Sequence, residues 1–193
     1  MTADARTAKR DLRRWIRQQR AGLSAAERGS AGEAIARQAS AIVSRAGAHT
    51  IACYLSGPTE PPTRSLIAWA TAHGVRVLLP ISLPNGMLDW GEHTADERMN
   101  ELGVPETTSP PLGPRALRTA EIVFAPAAAA DPAGHRLGWG GGYYDRALAQ
   151  SASRAPVYAV LYDFDVVAHV PHEHHDVPIS GVVTPTRTMS FER

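Results

Sequence analysis

The stretch TIACYLSGPTEPPTRSLIAWATAHGVRVLLP, from Thr50 to Pro80, decides the fold. It opens with a short apolar run rich in strand formers, which is followed by a proline-studded loop at residues 56–62. Thr63, in a capping position, and Gly74, after the last turn, bound a helix, and a second apolar run then ends at Pro80. A strand, a crossover helix and a strand form a βαβ unit. The stretch therefore predicts a parallel sheet.

Apolar spacing and capping residues predict the elements around this unit. Ser24 and Glu27 have the spacing of a capping box, which opens a helix to about residue 45 after a first helix over 7–20. Further predicted elements are a hairpin at 81–90, a long loop at 100–114, strands at 121–126, 157–162 and 182–184, and a helix at 143–150. This order predicts a single α/β domain over residues 1–193. We expect a three-layer α/β/α sandwich with a mostly parallel central sheet and ligands at the carboxyl ends of its strands.

Composition is that of an ordinary globular chain. The 193 residues are 44% hydrophobic and 20% charged, with a net charge of +1, so no global field favours nucleic acid or membrane as a partner. Arg10, Arg14, Arg17 and Arg20 are assigned to a solvated face of the first helix. The one cysteine, Cys53, is expected to be a buried strand residue. A single cysteine and a charged, signal-free start predict a cytoplasmic protein, and we expect a monomer.

The motif that indicates chemistry is DPAGHRLGWGGGYYDR, from Asp131 to Arg146. Four of the five residues from 138 to 142 are glycine, so backbone N–H groups can approach an anion closely at the start of a helix. Arg136 offers a permanently charged fork for phosphate oxygens. Asp145, in the first turn of the helix, is the type of carboxylate that holds Mg²⁺ on a nucleotide. Turn formation alone requires neither of these charged residues.

The run from Arg136 to Asp145 resembles the Arg-Leu-Gly-x-Gly-x-Gly-Tyr-Tyr-Asp signature of the 5-formyltetrahydrofolate cyclo-ligases. Three further segments agree with this family in order and spacing. They are Lys9 with Arg13, the run Tyr54-Leu55-Ser56 followed by Glu60 and Thr63, and the late run from Pro171 to Asp176. Trp139, Gly141 and the pair Pro61-Pro62 depart from the family pattern. None of these departures removes a group that the reaction requires.

The resemblance implies a set of roles. The implied ATP-binding residues are Lys9, Arg13, Gly134, Arg136, Leu137, Gly138, Trp139, Gly140, Gly141, Gly142, Tyr143 and Tyr144. The implied folate-binding residues are Leu55, Glu60, Trp139 and Tyr143. Arg136 and Lys9 are the implied catalytic residues, and Asp145 and Asp176 the implied magnesium ligands. For Tyr144 and Trp139 the alternative is plain packing against the sheet.

The implied reaction consumes 5-formyltetrahydrofolate and ATP, requires Mg²⁺, and produces 5,10-methenyltetrahydrofolate, ADP and phosphate. Two other functions stay open, an ATP-dependent ligase or kinase of another small molecule and a non-catalytic nucleotide or folate-binding regulator. The histidines at 172, 174 and 175 could instead form a zinc or nickel site with their acidic neighbours, although adjacent residues in an extended loop point in different directions. Nucleic-acid binding by the first helix is disfavoured, since its basic stripe is short and lacks aromatic interleaving.

Overall fold

The computed structural model of the chain describes residues 3–101, 103–151, 155–173 and 176–191. Its helices are α1 (Ala3–Ala21), α2 (Ala25–Ala46), α3 (Arg64–Ala72) and α4 (Tyr143–Ser151). Its strands are β1 (Thr50–Ala52), β2 (Arg76–Ser82), β3 (Leu88–Glu92), β4 (Glu97–Met99), β5 (Pro105–Thr107), β6 (Ile122–Pro126), β7 (Ala129–Ala130), β8 (Arg136–Leu137), β9 (Val157–Val160), β10 (Gly181–Val183) and β11 (Thr188–Ser190). Short 3₁₀ helices lie at Pro114–Thr119 and Asp163–Asp165.

Seven strands form one sheet in the order β11-β10-β9-β6-β1-β2-β3. The five interior strands are parallel, and antiparallel strands form the two edges. Ile51 of β1 pairs with Val77 of β2 on one side and with Ile122 of β6 on the other. The chain runs from β1 to β2 in one direction, then returns to β6 and continues in the other. The carboxyl ends of β1 and β6 therefore flank a topological switch point, where open α/β sheets bind ligands.

Helices cover both faces of this sheet. On one face, Ile35 of α2 and Leu66 of α3 pack with Ile51 of β1. On the other face, Leu148 of α4 packs in a separate core with Ala52. Ile51 and Ala52 belong to different layers because successive strand residues point to opposite faces. The predicted three-layer sandwich with a mostly parallel sheet is confirmed.

Helix α1 lies outside these layers, against the two-stranded ribbon that β7 and β8 form. Its buried Ile16 packs with Ala128, Ala129 and Leu137 of that ribbon. This contact brings Arg13, Arg17 and Arg20 of α1 next to the glycine-rich segment that follows β8. No helix in the described ranges is long and apolar enough to cross a membrane.

Local predictions are confirmed in part. The Ser24–Glu27 capping box is present, and Gly47 ends α2 in the left-handed conformation. Thr63 precedes α3, but its hydroxyl donates to the carbonyl of Tyr54 rather than capping the helix, so the predicted cap is wrong. The predicted loop at 100–114 contains β5, which pairs with β4 as a hairpin. Short strands such as β5 carry little local signal, because pairing with a partner defines them.

The assignment of Arg20 to a solvated face is wrong. Its side chain is fully buried and forms an ion pair with buried Asp165, with Nη2 2.7 Å from Oδ2. The same nitrogen donates to the carbonyl oxygens of Ala127 and Ala128. Arg20 therefore joins α1 to the sheet, because a buried guanidinium needs acceptors for its N–H groups.

Cys53 is buried, as predicted, and it directly follows β1. Burial raises the pKa of its thiol to about 12, against the smaller opposing effect of the Tyr54 carbonyl. A thiol that stays protonated is a poor nucleophile. Cys53 is therefore a packing residue.

Candidate functional site

A cavity of about 500 Å³ opens at the switch point. Its floor consists of residues that follow β1 and of residues at the ends of β2 and β6. One wall consists of the glycine-rich segment and the start of α4. Val104 and Pro105 of the β4–β5 hairpin line it from the other side. Its volume is that of a small-molecule site and falls within the usual range for ligand pockets.

The four residues predicted to bind folate, Leu55, Glu60, Trp139 and Tyr143, all line this cavity. The Glu60 carboxylate accepts a 2.8 Å hydrogen bond from the backbone N–H of Gly57. Burial raises the pKa of Glu60, and the Gly57 N–H and the Arg20 charge oppose that shift. The indole N–H of Trp139 faces this carboxylate but has no acceptor in hydrogen-bonding geometry.

Two cationic side chains contact the ring of Trp139. The guanidinium carbons of Arg17 and Arg20 lie 5.2 and 5.1 Å from the ring centroid. Arg17 is exposed, as predicted for a solvated face, and it also lines the cavity. The sequence could have indicated this contact only through the helical spacing of Arg13, Arg17 and Arg20, which places all three on one side of α1.

Arg136 is buried and projects from β8 into the cavity wall. Its Nη2 donates to Asp145 Oδ1 on the first turn of α4, and its Nη1 lies 3.4 Å from the Pro126 carbonyl oxygen. Its Nε is buried without an acceptor. A buried guanidinium N–H without a partner fits an oxygen-rich anion in this wall, because such a donor costs free energy until it is paired.

The segment between β8 and α4 requires glycine at two positions. Gly140 and Gly142 have φ of 110° and 67°, a backbone region that side chains disfavour. Arg146 donates to the carbonyl oxygens of Gly141 and Gly86, which ties this segment to the β2–β3 turn. Arg13 Nε donates to the Gly138 carbonyl oxygen at 2.7 Å, which ties it to α1.

The residues predicted to bind nucleotide fall into two groups. Arg136, Gly138, Trp139, Gly141, Gly142, Tyr143 and Tyr144 line the cavity. Lys9, Arg13, Gly134, Leu137 and Gly140 lie outside its lining. Leu137 lies on β8 and is a core residue that packs beside Ile16. Gly134 closes the β7–β8 turn through its N–H to the Asp131 carbonyl.

The two predicted magnesium ligands are both paired with cations. Asp145 accepts from Arg136, as described, and it lines the cavity. Asp176 lies outside the lining and accepts from Lys9 Nζ at 2.7 Å, while Lys9 also contacts Glu173 at 3.2 Å. His174 and His175 lie outside the described residues. Among the residues that are described, no group of three or more histidine, cysteine or acidic side chains could hold a metal ion.

Asp131 organises the turn that leads into β8. Its carboxylate accepts from the backbone N–H groups of Ala133, His135 and Val170. Burial acts to raise the pKa of Asp131, but these hydrogen bonds and the His135 ring outweigh it, so the pKa is lowered. The ring of His135 stacks on His172 at 3.5 Å. Asp131 therefore links the glycine-rich segment to the segment that carries Asp176.

The sequence analysis assigned no role to two buried polar residues of the cavity, Tyr54 and Glu106, although Tyr54 belongs to a run that resembles the family. Glu106 is 2% exposed, and its Oε1 accepts from the Ser82 N–H at 2.7 Å and from Asn100 Nδ2 at 2.8 Å. Tyr54 is 4% exposed, and its hydroxyl has no partner. A signal existed for Tyr54, because it follows a buried strand at its carboxyl end. None existed for Glu106, whose burial results from the hairpin folding onto β2.

The chain is similar to members of one enzyme family. The model of the 5-formyltetrahydrofolate cyclo-ligase family matches residues 5–185. A 5-formyltetrahydrofolate cyclo-ligase of Escherichia coli K12 is 34% identical over 182 residues, covering 91% of this chain and 100% of its own. The Mycolicibacterium smegmatis protein of the same name is 32% identical over 186 residues, covering 93% and 95% of the two chains.

Two solved structures share the fold. The 5,10-methenyltetrahydrofolate synthetase of Aquifex aeolicus superposes with a TM-score of 0.80 at 22% identity, covering 96% of this chain and 93% of its own. The synthetase of Mycoplasma pneumoniae superposes with a TM-score of 0.74 at 20% identity, covering 92% and 98%. At these identities the likeness supports the three-layer architecture alone.

Proposed function

This chain belongs to the 5-formyltetrahydrofolate cyclo-ligase family, and from that premise we propose that it uses Mg–ATP to convert 5-formyltetrahydrofolate to 5,10-methenyltetrahydrofolate. ADP and phosphate are the other products. One observation carries the proposal. A single cavity is lined both by a carboxylate, Glu60, among aromatic rings and by a buried guanidinium, Arg136, beside a glycine-rich turn. The carboxylate suits a pterin, and the guanidinium suits a phosphate chain.

Glu60 is the proposed pterin ligand. The amino-pyrimidinone edge of a pterin presents neighbouring N–H donors, and a carboxylate accepts two such donors at once. The Gly57 N–H holds the carboxylate in the cavity. The rings of Trp139 and Tyr143 line the same space, where they can pack against a flat heterocycle. Leu55 supplies an apolar contact beside them.

Arg136, Lys9, Arg13 and the glycine-rich segment are the proposed triphosphate-binding elements. Arg136 has a buried N–H without an acceptor, and α4 begins directly after Gly142, so its N-terminal N–H groups face the same segment. Lys9 and Arg13 approach from α1, and Arg13 already contacts the Gly138 carbonyl. Together these donors would spread the charge of a phosphoryl group in transfer.

Asp145 and Asp176 are the proposed residues that hold Mg²⁺. The charge of Asp145 is balanced by Arg136, and that of Asp176 is balanced by Lys9. Phosphate oxygens could bind these two basic side chains instead, which would leave the carboxylates available to the metal ion. Hard oxygen ligands of this type suit magnesium. Bound Mg²⁺ would neutralise charge on the phosphate oxygens.

The reaction needs positioning more than a protein nucleophile. The formyl oxygen receives the γ-phosphoryl group, which turns a poor leaving group into phosphate. The neighbouring aryl nitrogen of the same folate then attacks the formyl carbon, the ring closes, phosphate departs, and the nitrogen loses its proton. Both reacting groups belong to one molecule, so the enzyme gains rate by holding one conformer. Inert Cys53 is consistent with this route.

The test is formation of the methenyl chromophore. The purified protein is mixed with 5-formyltetrahydrofolate and Mg–ATP, and absorbance is followed together with ADP release. The methenyl product and ADP are expected in equal molar amounts. Binding of both ligands without either product would indicate a non-catalytic binding protein. ADP release that requires a different acceptor would indicate a ligase or kinase of another small molecule.

A further inference from the structure

Tyr54 is a buried cavity residue whose position is fixed by the fold. It follows β1 at the switch point, where the preceding backbone N–H, that of Cys53, still donates to the Leu78 carbonyl. The Tyr54 carbonyl accepts from the Thr63 hydroxyl at the start of α3. Both contacts hold the backbone, so the phenol ring is anchored in the cavity floor.

The hydroxyl of Tyr54 is buried and has no hydrogen-bond partner. A buried polar group without a partner costs about 1–3 kcal/mol. Burial raises the pKa of this phenol well above its ordinary value, and the charge of nearby Glu60 adds to the shift. The group therefore stays protonated and remains an O–H donor.

The pterin edge requires a donor of this kind beside Glu60. An amino-pyrimidinone presents, in order, the 2-amino group, the N3–H and the carbonyl oxygen on C4. A carboxylate satisfies the first two and has nothing to offer the third, since an ionised carboxylate only accepts. We propose that the Tyr54 hydroxyl donates a hydrogen bond to the C4 carbonyl oxygen of the bound pterin, and so acts as a specificity-determining residue. This inference rests on the proposed function, which places the pterin edge at Glu60.

A second tyrosine, Tyr144, also has a buried hydroxyl without a partner. Its ring packs edge-on against Trp90, with centroids 6.3 Å apart and an interplanar angle of 88°. It lies on α4 one residue before Asp145. Burial raises the pKa of its phenol, and the charges of both Glu60 and the proposed phosphate ligand Arg136 also act on that pKa. Tyr54 directly precedes the loop that carries Glu60, which favours it as the partner of the same pterin edge.

The test substitutes Tyr54→Phe, which removes the hydroxyl and keeps the ring. The dissociation constant for 5-formyltetrahydrofolate is expected to rise about tenfold, as for loss of one neutral hydrogen bond in a buried site. The same rise is expected for 5-methyltetrahydrofolate, which keeps the pterin edge and lacks the formyl oxygen. Mg–ATP affinity is expected to be retained. The melting temperature of the free protein is expected to be retained or raised, because the variant removes a buried hydroxyl that has no partner. Tyr158→Phe is the matched control, because Tyr158 is not part of the cavity lining and its hydroxyl lies 3.5 Å from Ser190 Oγ.

Four outcomes would overturn the inference. Unchanged affinity for both folates would show that the hydroxyl makes no contact. A loss confined to 5-formyltetrahydrofolate would assign the acceptor to the formyl oxygen. A lower melting temperature of the free variant would show a structural role for the hydroxyl. Loss of folate affinity in Tyr144→Phe but not in Tyr54→Phe would assign the donor to Tyr144. Methenyl formation by the wild-type protein is measured in parallel, since its absence would refute the proposed function, whatever Tyr54 contacts.

Discussion

Replacing Glu60 by glutamine keeps the size of the side chain and removes its charge and one acceptor. In the structure the carboxylate makes one hydrogen bond to the backbone, from Gly57, and otherwise faces the cavity. Hydrogen bonds to a charged partner contribute about 1.5–3 kcal/mol. The variant should therefore bind 5-formyltetrahydrofolate about 10- to 150-fold more weakly, since 1.4 kcal/mol corresponds to a factor of ten.

The pH dependence of binding gives an independent readout of Glu60. Burial raises the pKa of Glu60 in the free protein. N–H donors of a bound pterin favour the ionised form, so binding releases a proton wherever the free protein is still protonated. Folate affinity is therefore expected to rise with pH until Glu60 is ionised in the free protein and then to level off. The same raised pKa means that Glu60 favours the folded state at low pH, and this contribution is lost as pH rises through the folded pKa.

Isothermal titration calorimetry in buffers of different ionisation enthalpy measures both affinity and proton release. The wild-type protein should release a fraction of a proton that decreases as pH rises, and Glu60→Gln should release less. Mg–ATP affinity should be the same in both proteins. A change of less than twofold in folate affinity, or proton release that persists in the variant, would refute the placement of the pterin at Glu60.

Three further perturbations address the rest of the site and its support. Arg136→Ala should lower kcat/KM by about 10³-fold or more, because groups that stabilise a transferring phosphoryl contribute on that scale; steady-state kinetics with normal circular dichroism would check it, and near-normal turnover would contradict the phosphate role. Arg20→Met should lower the free energy of unfolding by about 3–5 kcal/mol, since it leaves buried Asp165 without its cation; urea denaturation measures this, and a loss below 1 kcal/mol would contradict it. Gly142→Ala should lower the free energy of unfolding by about 1–2 kcal/mol, because the alanine must adopt a φ of 67°, and it should also weaken Mg–ATP binding. An unchanged melting temperature and nucleotide affinity would show that the turn tolerates a side chain.

Most of the central sheet could be predicted because its signals are local. The βαβ unit from Thr50 to Pro80 carries its own caps and apolar runs, and the structure has β1, α3 and β2 there. The β4–β5 hairpin was missed, since its three-residue strands exist only through their pairing. The edge strand β11 was missed for the same reason.

The candidate site, like the fold, could be predicted only in part from the sequence. Leu55, Glu60, Arg136 and Asp145 were identified from motifs and all line one cavity, although their roles stay predictions. Arg20 looked like a surface residue, because charge spacing along a helix does not reveal which turn a neighbouring loop will cover. Its burial follows from the Ala127 and Ala128 carbonyls, more than a hundred positions away in the chain.

The sequence by itself determined most of the local features: where the longer helices lie, which apolar runs are buried strands, and which turn must lack side chains. These properties depend on residues within a few positions of one another. Only the tertiary structure decided which segments meet, so that Tyr54, Glu60 and Glu106 came to share a cavity with Arg136. The physical reason is that side-chain burial and hydrogen-bond partners depend on contacts between distant parts of the chain, which no local pattern encodes.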